Sequence, residues 1–253
     1  MKEFEEKVIL VTGSASGIGR DAAIAFAQQG GVVIGTDIDA DGGQATHKQI
    51  TENGGQSQFI QADVSKVAEV EALINQIIDQ HGRLDIAFNN AGVEGIPART
   101  IDGTEDDFDF IMRVNVKGVW ACMKYELKHM VKQGHGCIIN TASVAGLTGS
   151  HSLPVYSASK HAVVGLTRSA AVEYGGKGIR VNCINPYVIK TPMVERTSSN
   201  LPPEFSQAIA NATPAKRVGE VQEVTSAVLW LASEGASFVN GITLPVDGGY
   251  TAQ

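Results

Sequence analysis

The feature that most constrains the fold is the alternation of short apolar runs with longer segments of helical period. The apolar runs are typical of buried strands and cover residues 8–11, 32–36, 57–61, 84–88, 137–141, 180–184 and 242–246. Helical patterns cover residues 18–29, 68–80, 104–132, 155–174 and 224–232. Strands joined by helices of crossover length pair in parallel, and right-handed crossovers cover both faces of the sheet. The sequence therefore predicts a doubly wound α/β fold with a mostly parallel seven-stranded sheet, formed by one domain of residues 1–253.

Bulk composition narrows the range of partners. The chain has 253 residues, of which 43% are hydrophobic and 19% are charged, and this suits one globular domain with a sizeable core. A formal net charge of −7 without a basic cluster disfavours a nucleic acid or an anionic membrane as partner. The charged N-terminal segment predicts neither a signal peptide nor a membrane span. We therefore expect a small-molecule partner and a cytoplasmic setting.

The cysteines and histidines do not have the spacing of metal ligands. Cys122, Cys137 and Cys183 lie in apolar patterns without a CxxC pair, which predicts three buried thiols in a reducing compartment. His129 and His135 are six residues apart, which does not match the spacing of two ligands on one helix face. The sequence therefore predicts no metal site.

Residues 190–220 differ from the rest of the chain because they are polar and rich in proline. A connection of this length is unusual in a compact domain and is often a lid or a binding loop. We expect this segment to be a substrate lid within the single domain.

A glycine-rich turn follows the first apolar run and opens the first helix. It reads TGSASGIG over residues 12–19, with the spacing G-x-x-x-G-x-G. Glycines permit a tight turn and a close backbone approach, and the helix N-terminus offers N–H groups to a pyrophosphate. Its place at the first βα turn predicts a dinucleotide site of the Rossmann type, formed by Gly13, Ser16, Gly17, Ile18 and Gly19.

The second strand ends at Asp37, eighteen residues after Gly19. A carboxylate at this point can accept hydrogen bonds from both ribose hydroxyls of the adenosine, and it repels a 2′-phosphate. Arg20 and Lys48 are the nearest basic residues in sequence, and neither stands where a phosphate is usually bound. The sequence therefore predicts NAD rather than NADP as the cofactor; a plain turn-forming role for Asp37 is the alternative.

Tyr156 and Lys160 are four residues apart, with Ser143 thirteen residues upstream of the tyrosine. Positions i and i+4 lie on one face of a helix, so the ammonium could lie close to the phenol. An unperturbed tyrosine has a pKa of about 10, and a nearby cation lowers it. A tyrosine tuned in this way can exchange a proton with an alcohol or a carbonyl oxygen. A solvated helical face is the alternative when the pair is considered alone.

The motifs together resemble those of the short-chain dehydrogenases/reductases over the whole chain. The matching positions, in order, are residues 12–19, 63–64, 89–92, Asn115, Ser143, Tyr156, Lys160, residues 185–186, Thr191 and residues 247–249. The resemblance implies that Tyr156 is the general acid/base, that Ser143 binds the reacting oxygen and that Lys160 lowers the pKa of Tyr156 and binds the nicotinamide ribose. It also implies that Asn115 holds a water linked to Lys160.

The resemblance extends the expected cofactor site along the carboxyl edge of the sheet. Further contacts are expected from Ile38, Asp63, Val64, Asn90, Ala91, Gly92, Tyr156, Lys160, Pro186, Ile189 and Thr191. It implies that Ile189 and Thr191 hold the nicotinamide carboxamide, so that one face of the ring meets the substrate. Members of the family are often homotetramers, and the helices that begin near Asp106 and Val155 are candidate interfaces.

The chain departs from the family after the sixth strand, where the usual Pro-Gly is Pro186-Tyr187. Tyrosine does not share the conformational freedom of glycine. We therefore expect ordinary backbone angles at Tyr187 and a ring that lines the substrate pocket; a ring packed under the 190–220 segment is the alternative. The other expected substrate contacts are Val144, His151, Leu153 and Met193. This mainly apolar set favours a hydrophobic or cyclic alcohol over a sugar.

The leading functional hypothesis is NAD-dependent interconversion of a secondary alcohol and a ketone. A 3-oxoacyl carrier-protein reductase is the second hypothesis, but Asp37 is acidic and Val172 stands where that relative often has arginine. A catalytically silent dinucleotide-binding or scaffold protein is a third, although it has no chemical need for the complete set of Asn115, Ser143, Tyr156 and Lys160.

Overall fold

A computed structural model describes residues 2–194 and 203–253. Its seven strands form one sheet in the order β3-β2-β1-β4-β5-β6-β7, and every pair of neighbours is parallel. The strands are β1 (Val8–Thr12), β2 (Val32–Asp37), β3 (Gln56–Gln61), β4 (Ile86–Asn89), β5 (Gly136–Thr141), β6 (Ile179–Pro186) and β7 (Thr243–Val246). The seven-stranded doubly wound fold is confirmed, and the sheet is entirely parallel.

Helices connect the strands and cover both faces of the sheet. They are α1 (Gly17–Gln28), α2 (Ala40–Glu52), α3 (Val67–His81), α4 (Glu105–Met112), α5 (Val119–Gln133), α6 (Pro154–Tyr174), α7 (Pro203–Asn211) and α8 (Val221–Ala232). One hydrophobic cluster lies between the sheet and α3, α5 and α6, and a second lies between the sheet and α1 and α8. Among the described helices, none has both the length and the apolarity that crossing a membrane requires.

Helix α2 was not expected from the sequence. Gly42 and Gly43 weaken the helical signal in its first turn, since glycine has low helix propensity. The Asp39 side chain caps the helix by accepting from the Gly42 N–H. A Cβ atom on Gly43 would lie 1.9 Å from the Phe59 ring, so a glycine is required for α2 to pack on β3.

The long helix expected over residues 104–132 is interrupted. Thr104 caps α4 by accepting from the Asp107 N–H at 3.2 Å, as the sequence indicates. A π-helical turn, Arg113–Gly118, then separates α4 from α5. Such turns are rare and occur often at functional sites, and this one contains Asn115.

The expected lid lies only partly within the described chain. Residues 195–202 lie outside the described residues, and α7 occupies part of the segment that follows them. The single domain and the lid both stay predictions.

The order of the strands reverses its direction between β1 and β4, because the chain extends the sheet from β1 to β3 on one side and from β4 to β7 on the other. Open α/β sheets bind ligands at the carboxyl ends of the strands that flank such a point. The fold therefore places a crevice beside the ends of β1 and β4.

Candidate active site

The ends of β1 and β4 are joined by side-chain hydrogen bonds. The Thr12 hydroxyl accepts from the N–H groups of Asn90 and Ala91, at 3.0 Å each. The Asn90 amide in turn donates to the carbonyl oxygens of Thr12 and Gly13, at 3.2 and 3.4 Å. These contacts hold the glycine-rich turn against the segment that follows β4.

Packing explains two of the glycines in the turn. Gly13 has φ of +70°, and a Cβ there would lie 2.9 Å from Asn90 Nδ2. A Cβ on Gly19 would lie 2.0 Å from the Gly13 carbonyl oxygen, which is backbone and cannot move aside cheaply. Gly17 faces Thr191, whose methyl group would be 3.3 Å from an added Cβ. The turn and the Ile189–Thr191 segment therefore face each other across the crevice.

The residues around the first turn fit a dinucleotide. Ser16 begins α1 but its side chain makes no capping hydrogen bond, so the first N–H groups of the helix face the turn uncapped. The Asp37 carboxylate is oriented by the Ala15 and Asp39 N–H groups, at 3.0 Å each. Arg20 is directed to Gln49 at 2.7 Å, away from this carboxylate. A cradle for a pyrophosphate and a carboxylate for a ribose therefore lie at neighbouring points of one edge.

The remaining expected cofactor residues are spread along the same edge. Ile38 is 67% exposed beyond β2, whereas Val64 and Ile189 are buried. The Asp63 carboxylate accepts from the Ser65 N–H at 2.9 Å. The Pro186 carbonyl oxygen accepts from the Ser143 hydroxyl at 3.4 Å.

Ser143, Tyr156 and Lys160 converge on this crevice from the segment after β5 and from α6. Ser143 follows β5, and its hydroxyl accepts from the Ala145 N–H at 3.2 Å. Tyr156 and Lys160 lie on α6, with the Lys160 Nζ atom 5.6 Å from the centre of the Tyr156 ring. The ammonium donates to the Thr141 carbonyl oxygen at 2.8 Å. The lysine is therefore anchored to the end of β5, within electrostatic range of the phenol.

The ionisation of the tyrosine differs from the sequence-based expectation. Burial raises the pKa of Tyr156 to about 12, and the Ser143 hydroxyl only partly offsets this effect. Burial also lowers the pKa of Lys160 to about 8. Because burial is the largest cause of this shift, the pKa of Tyr156 lies above its ordinary value, and the expected lowering of that pKa by Lys160 stays a prediction.

Asn115 is fully buried and fully hydrogen-bonded through its side chain. Its Oδ1 atom accepts from the Val93 N–H at 2.8 Å, and its Nδ2 atom donates to the Val93 carbonyl oxygen at 2.8 Å and to Ser159 Oγ at 3.0 Å. A Cβ on Gly92 would lie 3.2 Å from Asn115 Oδ1 and 3.4 Å from Lys160 Nζ. Gly92, Asn115 and Lys160 therefore meet at one point, and a role for Asn115 in holding water stays a prediction.

A cavity of about 420 Å³ opens beside Tyr156. Its wall is formed by the loop after β4, the start of α4 and the start of α6, and it is mainly apolar. The apolar lining includes Ile96, Ala98, Phe108, Ile111, Leu153, Pro154 and Val155. Glu94 lines the same cavity, and its negative charge contributes to the raised pKa of Tyr156 after the larger effect of burial.

Of the expected substrate contacts, Leu153 lines this cavity and the others do not. Val144 is buried behind Ser143, and Met193 lies partly buried in the segment after Thr191. His151 is exposed, and its Nδ1 atom lies 2.9 Å from the Ser152 hydroxyl. Their contact with a substrate stays a prediction.

Tyr187 packs against the C-terminal segment. Its ring is stacked on that of Tyr250, with the centroids 4.4 Å apart, and its hydroxyl donates to the Ile209 carbonyl oxygen at 3.4 Å. Positive φ outside glycine occurs among the described residues only at Glu6, Ser152 and Lys216, so the expected ordinary backbone of Tyr187 is confirmed. The contact with α7 favours the alternative, a ring under the 190–220 segment, and a pocket-lining role stays a prediction.

Sequence reasoning assigned no role to three residues of the site. Thr12 and Thr141 end β1 and β5, and they organise the crevice through a hydroxyl and a carbonyl oxygen. Glu94 stands beside the cavity. The only available signal was the position of each residue at or just after a strand end, which is where α/β sheets bind ligands.

Comparisons with known proteins give one consistent result. A family model described as enoyl-(acyl carrier protein) reductase matches residues 13–251. Levodione reductase of Leifsonia aquatica is 40% identical over 255 residues, which are 98% of this chain and 96% of that protein. Cyclohexanol dehydrogenase of an Acinetobacter species is 37% identical and covers 99% and 97% of the two chains.

Solved structures agree with the sequence comparisons. The crystal structure of levodione reductase superimposes with a TM-score of 0.96 at 39% identity, and it covers 98% of this chain and 99% of its own. A candidate NAD(P)-dependent gluconate 5-dehydrogenase from Beutenbergia cavernae, crystallised with NADP, gives a TM-score of 0.93 at 30% identity and covers 98% of both chains.

Proposed function

The chain belongs to the short-chain dehydrogenase/reductase family, and on this premise we propose that it transfers hydride between NAD(H) and a neutral, ring-containing secondary alcohol or ketone. The convergence of Ser143, Tyr156 and Lys160 beside a glycine-rich turn carries the proposal. A silent binding protein has no need for these groups at one edge of the crevice.

The catalytic roles follow from proton chemistry. In ketone reduction, the Tyr156 hydroxyl donates its proton to the carbonyl oxygen while Ser143 donates a hydrogen bond to the same oxygen. In alcohol oxidation, the hydroxyl proton passes to a Tyr156 phenolate, which the Lys160 ammonium stabilises. The nicotinamide, when bound, supplies or accepts the hydride. A pKa of about 12 means that the Tyr156 phenol carries its proton at neutral pH, which is the form that the reduction step requires.

The preference for NAD is supported by the Asp37 carboxylate. Its two oxygens accept from the N–H groups of Ala15 in the glycine-rich turn and of Asp39 just after β2. Rotation of the carboxylate away from a 2′-phosphate would therefore break both hydrogen bonds. Repulsion between like charges in a partly buried site is worth on the order of a few kcal/mol. The relative crystallised with NADP has a similar fold at 30% identity, so the proposed preference for NAD depends on Asp37 and not on the fold.

The substrate class is supported by the cavity beside Tyr156. Its apolar wall suits a hydrocarbon ring, and the Glu94 carboxylate disfavours an anionic substrate. Cyclohexanol dehydrogenase is a relative whose name specifies a cyclic substrate. A long acyl chain on an acidic carrier is disfavoured by the net charge of −7 and by an exposed Val172 on α6.

A homotetramer is the proposed assembly. A surface cavity of about 600 Å³ lies between α4, the π-helical turn, α5 and α6. Its lining combines the apolar side chains of Met112, Val116, Trp120 and Leu166 with the charged side chains of Asp109, Arg113 and Lys117. This apolar surface on the expected interface helices supports contact between copies. Sedimentation velocity should give a tetramer, and Trp120→Glu should dissociate it while Val131→Glu on the same helix does not.

The proposed setting is a reducing cytoplasm, supported by three free, buried cysteines.

The direct test is an initial-rate screen with NAD and NADP. Pairs of cyclic and open-chain secondary alcohols are compared with matched cyclic hydroxy acids that carry a carboxylate. We expect NAD-dependent oxidation with the highest kcat/KM for neutral cyclic alcohols, and Glu94→Gln should selectively improve the carboxylate-bearing substrates. A preference for NADP, or for anionic substrates in the unaltered protein, would contradict the proposal.

A further inference from the structure

Glu126 is a buried carboxyl group for which the proposed reaction has no use. It lies on α5, and it is 0% exposed. One of its oxygens, Oε2, accepts from Asn89 Nδ2 at 3.0 Å. Its other oxygen, Oε1, is buried and has no hydrogen-bond partner among the described residues. A carboxylate in this position would be a buried charge with one donor and no cation, which is strongly unfavourable.

Asn89 also has a buried side-chain oxygen without a hydrogen-bond donor among the described residues. Its Nδ2 atom donates both protons, to Glu126 Oε2 and to Asn140 Oδ1, at 3.0 Å each. Its Oδ1 atom is buried and, within the described parts of the chain, has no donor. The two unpartnered oxygens thus belong to two side chains that already touch. A single proton on Glu126 Oε1 would give both of them a partner.

We propose that Glu126 is held as a neutral carboxylic acid that donates from Oε1 to Asn89 Oδ1, and that this acid–amide pair positions the strand ends beneath the cofactor crevice. The two hydrogen bonds of the pair run in opposite directions between the same two groups. Burial supports the neutral form, since it raises the pKa of Glu126 to about 8, although the hydrogen bond from Asn89 opposes the shift.

The pair belongs to a polar network that joins four elements. Asn89 and Asn140 are register partners on β4 and β5. The Asn140 Nδ2 atom donates to Thr167 Oγ1 on α6 at 2.9 Å. Asn89 directly precedes Asn90, which holds the glycine-rich turn, and Asn140 precedes Thr141, whose carbonyl oxygen anchors Lys160. The positioning role rests on the proposed function; the protonation state does not.

The surroundings contain few groups that could titrate with Glu126. Cys122 lies one turn away on the same helix, and burial raises the pKa of its thiol. From the neighbouring elements, β4, β5 and α6 contribute the neutral side chains of Asn89, Asn140 and Thr167. The packed helix α3 contributes Glu71, which accepts from Tyr125 at 3.1 Å. Titration of the pair is therefore expected to follow Glu126 itself.

The first test uses Glu126→Gln, because a glutamine amide is neutral and can make both hydrogen bonds. An unfolded glutamate ionises near pH 4.5, whereas the folded one keeps its proton to about pH 8. Rising pH between these values therefore favours unfolding of the natural protein. Relative to the variant, its unfolding equilibrium constant should rise by up to about tenfold per pH unit in this window. The unfolding equilibrium constants of the two proteins are measured by urea denaturation at each pH.

Glu173→Gln, an exposed change on α6, is the matched control and should show no such window. If the difference in unfolding equilibrium constant between the natural protein and Glu126→Gln stays constant with pH, the proposal of a neutral acid is wrong. An ionised carboxylate bridged by water predicts that constant difference. Infrared spectroscopy gives a reading that needs no unfolding. A protonated carboxyl C=O band at pH 7 should be lost in Glu126→Gln, and its absence from the natural protein would also refute the proposal.

The positioning role is tested by NADH fluorescence, which needs no turnover. Glu126→Val leaves both polar groups of Asn89 without that partner and should weaken NADH binding at least fivefold, while Glu126→Gln stays within twofold of the natural protein. Natural affinity in the valine variant would overturn this role. If the valine variant does not fold, the NADH affinities of the natural protein and Glu126→Gln are compared above pH 8. The natural protein should lose affinity relative to Glu126→Gln. Affinities that change in parallel with pH would refute the positioning role. A silent enzyme that binds NADH normally would instead count against the proposed function.

Discussion

The two ends of the crevice are held in place in different ways. Residues 12–19 and 89–92, which we propose to hold the cofactor and call the cofactor end, are fixed by partly buried hydrogen bonds and by glycine positions that have no room for a Cβ. Residues 93–104 and 151–155, the substrate end, expose large apolar side chains, with Ile96 75% and Ile101 83% exposed. Backbone geometry therefore restricts the first region to few sequences, whereas the second can change its side chains without loss of the fold.

The largest expected effect is at the point where the two ends meet. Tyr156→Phe removes the proton donor but keeps the ring, so kcat should fall by about 10²–10⁴ while NADH still binds. Turnover above a few per cent of the natural rate would refute Tyr156 as the general acid/base. Tyr174→Phe at the end of α6 is the control and should leave kcat unchanged.

The next effect tests the rigidity of the cofactor end. A methyl group on Gly19 would meet the Gly13 carbonyl oxygen at 2.0 Å, so Gly19→Ala should lower the free energy of unfolding by about 1–3 kcal/mol and weaken NADH binding at least tenfold. Gly176→Ala, where nothing lies within 4 Å, should change neither quantity. Natural NADH affinity in Gly19→Ala would show that the turn is not restricted as described.

The third effect concerns charge at the cofactor end. Asp37→Asn removes the carboxylate charge while keeping an acceptor, and the ratio of kcat/KM for NADP to that for NAD should rise roughly tenfold to a hundredfold. Asp39→Asn removes a charge two residues away and keeps the helix cap, so the ratio should change little. An unchanged ratio in Asp37→Asn would leave Asp37 with only its turn-forming role.

The smallest effect is expected at the substrate end. Tyr187→Gly removes a ring that stacks on Tyr250, and KM for the alcohol should rise a few-fold if the ring lines the pocket. Tyr250→Phe keeps the stacking and serves as the control. An unchanged KM and an unchanged substrate preference would assign the Tyr187 ring to packing under the segment that contains α7.

Much of the fold could be predicted because its signals are local. The alternation of apolar runs with helical periods predicted all seven strands, and the glycine spacing located the first turn. Helix α2 was not predicted because Gly42 and Gly43 weaken its local signal, and the space left by Gly43 is needed by Phe59 of β3. The π-helical turn escaped because its residues have an ordinary helical period.

The sequence also predicted only part of the candidate site. The motif residues Ser143, Tyr156 and Lys160 could be identified from their spacing and from the family resemblance. Glu94 and the acid–amide pair of Glu126 and Asn89 could not, since no motif contains them and each acquires its surroundings from a distant segment.

The sequence by itself determined the order of strands and helices, the glycine-rich turn, the acidic end of β2 and the set of residues available for proton transfer. These properties depend on neighbours within a few residues. The tertiary structure alone decided that Lys160 is anchored to Thr141, that burial raises the pKa of Tyr156 to about 12, and that Glu126 faces Asn89. The physical reason is that desolvation and buried hydrogen bonds depend on atoms that the folded chain brings together from remote positions.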